Sequence, residues 1–294
     1  MKPVEMIAAL EAAGDYKVLR RLKPRNVFES ASKDDQLRIG VLVDLETTGL
    51  DVTSDEVIEV GMVKFAYQPD GRVVHVVDTF VSFNEPTKPI PAEVTELTGI
   101  TQEMVRGHRV DADAVAKFVS DAVVAIAHNA AFDRPIAERY WSPFKDMAWA
   151  CSANQVEWRK EGFDGSRLGY LLARIGYFHE AHRAVDDCLA LLEVLATPLP
   201  NSQKFALAVL LEQARRRKIR IWAEYAPFDL KDELKKRRYR WSDGADGRPK
   251  SWYIDVDEEN LDAEIEYLHT AIYRRPVELR TQAITALTRF TNRI

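Results

Sequence analysis

Cysteine is scarce in this chain: two in 294 residues, Cys151 and Cys188. One pair supplies neither a disulfide framework nor zinc-ligand spacing, so reduced thiols in a cytoplasmic protein are expected. Long apolar runs are also missing. None approaches the ~20 residues needed to span a bilayer, and no membrane role is expected. Internal repeats and low-complexity tracts are absent. The first residues, "MKPVEMIAALEAAGDYKVLRRLKPR", mix charges throughout and lack an uninterrupted apolar core. They are expected to belong to the mature protein rather than to a secretory leader.

What remains is ordinary globular material, 46% apolar and 30% charged. The length allows one substantial core plus a smaller unit. The net charge of −5 conceals an asymmetry. Residues 201–294 carry 19 Lys+Arg against 15 Asp+Glu, whereas residues 1–200 carry 22 against 31. An acidic larger part with a basic tail region suggests two units with different tasks.

Residues 4–22 have helical spacing interrupted at Gly14, and residues 40–46 read as a strand. The next stretch, "DEVIEVGMVKFAYQPDGRVVHVVDTFVSF", alternates apolar and polar residues on both sides of "PDG". Gly71 can take the positive φ that a hairpin turn needs. Residues 41–83 are therefore expected to form a three-stranded antiparallel meander. A short helix should end near Gly99, a helix should cover 111–121, and "AVVAIAH" should be a buried strand. Ser166 is a cap candidate for a helix carrying Leu168, Leu171, Leu172 and Ile175, with Gly176 as its stop. Another helix runs from about His182 to Leu195, and "TPLPNSQ" is the linker candidate. Beyond it come a helix (204–214), the strand "KIRIWAEY", the helix "LKDELKKRR", the strand "SWYIDV", and a last helix capped by Asp257. That helix spaces Leu261, Ile265, Leu268 and Ile272 along one face. The order predicts an α/β layer with a mixed sheet for the larger unit. The expected divisions are 1–38 (N-terminal helical segment), 39–197 (main domain), 198–218 (linker and helix) and 219–294 (small α+β domain).

The chemistry begins at "VLVDLETTGLD", residues 41–51. Side chains two apart on a strand share a face, so Asp44 and Glu46 project together while Val41, Val43 and Leu45 pack opposite. Paired like charges raise a pKa, and a divalent cation removes the repulsion. The spacing alone leaves open a solvated strand end. Asp133, in "AHNAAFDRP", reads singly as an N-cap with Pro135 in the first turn. Asp187, in "HRAVDDCLALLEVL", falls one turn inside its helix, with His182 in the loop before it. Together, four hard oxygen ligands suit Mg²⁺ or Mn²⁺ rather than zinc or copper. Four carboxylates are enough for two ions, and a neutral imidazole is a credible general base.

The motifs "VDLETTGLD", "AHNAAFD" and "HRAVDDCLA" resemble those of the DEDDh 3′→5′ exonucleases. That group includes the proofreading epsilon subunit of bacterial DNA polymerase III. The resemblance covers residues 39–197. It implies a ribonuclease H-like fold and removal of nucleoside 5′-monophosphates from a nucleic-acid 3′ end, DNA being the expected substrate. It also implies that Asp44, Glu46, Asp133 and Asp187 hold two Mg²⁺ or Mn²⁺ ions, with His182 as general base. Thr47, Thr48 and Gly49 would seat the terminal nucleotide. Leu50 would wedge against the last base, Phe132 would stack, and Asn129 would orient the site. Core packing is the competing reading for Leu50 and Phe132. An RNA-trimming enzyme and an accessory subunit of a polymerase or repair complex are the alternatives.

Residues 220–256 resemble a small αβ module of undefined function. Lys235, Lys236, Arg237, Arg238 and Arg240 stand beside Tyr239, Trp241, Trp252 and Tyr253. Basic groups interleaved with aromatics suit single-stranded nucleic acid, but Trp241 and Trp252 are expected to be the small core.

Overall fold

The structure, a computed structural model, describes residues 2–30, 36–245 and 247–293. It divides into two compact units, Met1–Gln213 and Ala214–Ile294. Part of the expected N-terminal segment (31–35) and one residue of the "SDGADGRPK" turn lie outside the described residues.

The first unit is built on a five-stranded sheet. Its strands are β1 (Arg38–Thr47), β2 (Val57–Tyr67), β3 (Val73–Phe83), β4 (Val124–Ala127) and β5 (Trp149–Cys151). Their order is β3-β2-β1-β4-β5, antiparallel through the first three and parallel through the last two pairings. The expected meander is therefore present, with Gly71 at φ +88° in its turn. The alternation read for β2 has no counterpart in burial, however: all eleven of its residues are buried. A central strand covered on both faces has no wet side to make polar.

The longer helices up to the unit's end are α1 (Pro3–Ala12), α2 (Ala92–Thr98), α3 (Ala112–Val119), α4 (Ala130–Tyr140), α5 (Leu168–Arg174), α6 (Ala184–Leu195) and α7 (Ala206–Arg215), the last running two residues past the division. Phe118 of α3 meets Phe80 and lies under the Lys64 ammonium, covering one face of the sheet. Helix α6 covers the other, where it presses onto β2 at Gly61. Asp111 caps α3 by accepting the amides of Asp113 and Ala114, and Gly99 and Gly176 end their helices at positive φ.

Several local expectations differ. Helical structure does not continue past Gly14. Arg20–Arg21 instead pairs parallel with Tyr177–Phe178, and α1 buries none of its residues. Ser166 is not a cap; Arg167 holds that position, and the Ser166 carbonyl receives His128 Nε2 at 2.6 Å. "TPLPNSQ" is a packed turn rather than a free linker. Leu199 is buried, its amide bonds the Lys204 carbonyl, and the Ala206 amide bonds Thr197. Helix α7 buries Ala206, Leu207, Leu210 and Leu211.

The second unit is a four-stranded antiparallel sheet of β6 (Lys218–Ala223), β7 (Arg240–Trp241), β8 (Trp252–Asp257) and β9 (Arg280–Ile284), ordered β9-β6-β8-β7. Helices α8 (Lys231–Lys236) and α9 (Leu261–Tyr267) pack on one face, over Ile221, Ala223, Leu234, Tyr239, Leu268 and Ile272. Asp257 stands before a 3-10 turn ahead of α9 and makes no side-chain cap bond. Trp252 packs against this core, but Trp241 is half exposed, so only one of the two tryptophans is core. Tyr239 is buried with its hydroxyl on Glu264, and Arg237 is held by the same carboxylate.

Candidate active site and metal centre

Asp44 pairs in register with Gly61, and Glu46 with Glu59. These positions fix the face: Asp44 and Glu46 point toward the side covered by α6. Carboxylate oxygens of Asp44, Glu46 and Asp187 all lie within 4.8 Å of one another. Asp187 arrives from the first turn of α6. Asp133 is not within that trio, but its charge is the largest of the neighbouring charges acting on Asp44. It is not the helix cap either. Asn129 takes that position, and Asp133 sits inside α4, buried, accepting the backbone amide of Leu45. Four predicted acids thus converge, three as a tight trio with the fourth beside it.

The electrostatics follow from burial and like charge. Desolvation first, then the charges of Asp133, Asp187, Glu46 and Glu59, push Asp44 well above the usual carboxylate range. Burial raises Asp133 despite the Leu45 amide. Glu46 is pushed up to about 7, again by burial and then by Asp187 and Glu59, against the opposing pull of Arg183. A concentration of hard, mutually repelling oxygens is the donor set that suits a divalent cation, so these residues fit the implied metal.

These shifts dictate a pH dependence. A carboxyl whose folded pKa is raised binds its proton longer in the folded state than in the unfolded one. In chelator, stability is therefore expected to fall as pH rises from about 4.5 through 7. The Glu46 contribution alone is at most about 3 kcal/mol. Cations compete with those protons, so the gain in melting temperature from Mn²⁺ should widen between pH 5.5 and 8.5. Thermal melts in Mn²⁺ and in EDTA check it; a gap independent of pH would contradict the cluster's assignment.

Residues outside the predicted set hold the arrangement. Glu59, fully buried on β2, accepts Arg183 Nη2 at 2.8 Å and the Ala184 amide at 3.0 Å. It thereby caps α6 from a neighbouring strand, with the negative charge where the helix dipole favours it. His179 Nε2 lies 2.6 Å from Asp187 Oδ1, and the His182 amide donates to Asp187 Oδ2 at 2.8 Å. Both oxygens of this carboxylate are thus oriented by the loop that precedes its helix, as ligating carboxylates commonly are. His182 itself is exposed, at φ +70°. That backbone region is costly for a residue with a Cβ and marks a loop under local strain.

The Thr47–Gly49 turn is braced. Thr47 Oγ1 donates to the Gly49 carbonyl at 2.6 Å, and Thr48 Oγ1 to Asp55 at 2.9 Å. The Thr48 amide is already given to the Glu56 carbonyl. A Cβ on Gly49 would lie 2.5 Å from an Asp55 carboxylate oxygen. Arg139 of α4 donates to the carbonyls of Thr53 and Asp55, tying the loop to that helix. Leu50 is 87% exposed, which removes core packing as its role, while Phe132 is half-buried and Asn129 exposed.

Glu59, Gly61, His179 and Arg183 were not among the sequence-derived candidates. A lone Glu and a lone Gly inside the apolar strand "VIEVGMV" were the available signals. His179 had only its proximity to His182.

Residues 41–195, more than half of the chain, match the family model described as exonuclease. The PolC-type DNA polymerase III of Thermotoga petrophila is 29% identical over 224 residues, 72% of this chain and 15% of the relative. That of Clostridium perfringens is 34% identical over 166 residues, 53% of this chain and 11% of the relative. The chain therefore spans a small fraction of the length of these polymerases. Among solved structures, the zinc-bound E. coli exonuclease I–ssDNA complex aligns with TM-score 0.50 at 14% identity, over 75% of this chain and 63% of that one. The fold is thus the ribonuclease H-like one that the motif resemblance implies, with the mixed sheet expected from the order of elements.

Proposed function

The chain belongs to the exonuclease family, and on that premise we propose that it is a metal-dependent 3′→5′ exonuclease acting on DNA and releasing nucleoside 5′-monophosphates. The observation that carries this reading is the cluster of Asp44, Glu46 and Asp187, with Asp133 beside it, inside the family-matched segment. The DNA polymerases among the relatives support DNA over RNA.

In this reading Asp44, Glu46, Asp133 and Asp187 hold two Mg²⁺ or Mn²⁺ ions. When bound, such cations neutralise charge on the scissile phosphate and acidify the attacking water. The chain's own residues do the rest. A ring nitrogen of His182 accepts a proton from the water as its oxygen bonds to phosphorus. The bond to the 3′-oxygen of the penultimate nucleotide breaks, and that oxygen leaves as an alkoxide that takes a proton from solvent water to become the new 3′-hydroxyl. Because His182 stands on an exposed, strained loop, its catalytic position is reached when the loop closes over a bound strand. Thr47, Thr48 and Gly49 form the seat of the terminal nucleotide. With the Thr48 amide used within the turn, this seat acts through its shape and its remaining groups. Exposed Leu50 packs on the last base, half-buried Phe132 stacks, and Asn129 orients the end.

The test is a 5′-labelled oligonucleotide, as DNA and as RNA, incubated with the full chain in Mn²⁺ or in EDTA. A ladder shortening from the 3′ end of DNA in Mn²⁺, and no cleavage in EDTA, is expected. Undiminished cleavage in excess chelator would end the metal reading, and faster loss of RNA would replace the DNA assignment.

A further inference from the structure

The second unit keeps two large aromatic side chains out of its core. Phe228 is 75% exposed, in the 3-10 turn (Phe228–Leu230) that leads into α8, and Trp241 is half exposed on the edge strand β7. Single exposed apolar residues are ordinary, but contacts join these two into one stripe. The Phe228 ring centroid lies 4.1 Å from the Lys231 ammonium. Lys231 and Lys235, four apart on α8, share one side of that helix, about 6 Å apart along its axis. The Lys235 ammonium lies 6.0 Å from the Trp252 ring centroid. Trp252 in turn meets Trp241 edge-on, with centroids 5.4 Å apart. Register explains these last contacts: Trp252 pairs with both Ala223 and Trp241, so all three sit on the sheet face that carries α8.

The cations of the stripe are open to solvent partners. Lys231 has no carboxylate partner among the described residues; its printed neighbour is the Phe228 ring. Lys235 has only Asp232, at 3.8 Å, with both side chains more than half exposed. That separation is beyond hydrogen-bond range, and exposed pairs of this kind hold little. Glu233 lies about 160° around the helix from both lysines and is taken up by Lys236 at 2.7 Å. Arg240 has no part in the stripe, because its guanidinium lies against Asp255 and Tyr253 on the other face of the sheet.

We propose that this stripe binds single-stranded nucleic acid, with bases stacking on Phe228 and Trp241 and phosphates meeting Lys231 and Lys235. The alternation of groups decides the occupant. Exposed π-faces suit flat rings, and the ammoniums between them suit anions at short, regular intervals. An unpaired strand supplies both. A duplex keeps its bases stacked inside, an acidic peptide offers charges without rings, and an apolar helix offers surface without charge. The stripe lies wholly within the second unit, so the assignment goes beyond the exonuclease reading and does not rest on it.

The experiment reads the fluorescence anisotropy of a labelled, circularised single-stranded DNA mixed with the full chain in EDTA. A circle has no 3′ end for the carboxylate site to seat, so binding reports on a surface elsewhere. The circle should bind, and an unlabelled closed-circular duplex should compete about tenfold more weakly per nucleotide or worse. Phe228→Ala and Trp241→Ala should each weaken binding about tenfold, the scale of one lost base stack, and Trp241→Phe should restore most of it. Phe228 lies outside the core cluster, so a parental melting temperature in Phe228→Ala separates lost binding from lost folding. In a salt titration, Lys231→Gln and Lys235→Gln together should lower the slope of log affinity against log salt by about 1.4, at ~0.7 for each phosphate contact. Lys236→Gln, which removes a charge on the Glu233 side of α8, should leave the slope unchanged. A circular strand that does not bind, equal competition by the duplex or by polyglutamate, parental affinity in both aromatic variants, or a slope lowered as much by Lys236→Gln would overturn the assignment.

Discussion

Asp44→Asn is expected to lower the rate of 3′-nucleotide release on the order of 10⁴-fold, the scale on which removing one member of a catalytic unit acts. The same substitution is expected to raise the melting temperature in EDTA at pH 8. The reason is on the strand. Asp44 is buried among Asp133, Asp187, Glu46 and Glu59, each of which raises its pKa. An amide of nearly the same shape takes one charge out of that group. About 1 kcal/mol of relief corresponds to ~2–4 °C for a unit of this size. Stability and activity then move in opposite directions, as happens where a site is held in a costly configuration for function. Steady-state hydrolysis in Mn²⁺ and calorimetry in EDTA give the two numbers. Loss of both activity and stability would mean that Asp44 is structural; full activity would remove it from the metal site.

The same crowding explains why this part of the chain was readable beforehand. Acids at alternate positions of an apolar strand violate the burial pattern, and a violation of local consistency marks a functional place. Asp187 and His182 were readable because helix periodicity separates the loop from the first turn. Glu59 was not. Its partners, Arg183 and the Ala184 amide, lie 124 and 125 residues away, and only the register of β2 brings them together. The edge strand β9 escaped for a different reason. "RTQAI" pairs with β6 alone and buries only its last residue, so it carries no alternating apolar face. At the N-terminus the apolar spacing of residues 4–12 makes a helix without any buried face, and tertiary pairing at Arg20–Arg21 decides the rest.

Gly61 ties the fold to the chemistry most tightly. It pairs with Asp44 across β1 and β2, and the backbone of α6 passes directly over it. A Cβ added there would stand 2.3 Å from the Ala184 carbonyl carbon and 2.3 Å from the Val185 nitrogen. Those are main-chain atoms, so no side-chain rotation relieves the overlap. Gly61 is not among the glycines with positive φ, so alanine there meets a purely steric obstacle. Gly61→Ala must therefore lift the start of α6 from the sheet. That movement loosens the Glu59 cap on Ala184 and the contact of Cys188 Sγ with the Gly61 carbonyl. It also carries Asp187 away from Asp44 and Glu46. Overpacking of this kind costs ~1–3 kcal/mol. A displacement near 1 Å at a reacting centre costs on the order of 10²-fold in rate. The expected variant is folded, less stable than the parent, and slower by about that factor, with weakened Mn²⁺ binding. Titration of Mn²⁺ by calorimetry separates the causes: unchanged metal affinity alongside lost activity would show that the position of α6 does not set the ligand geometry. A variant with parental stability and rate would show that the sheet yields instead of the helix.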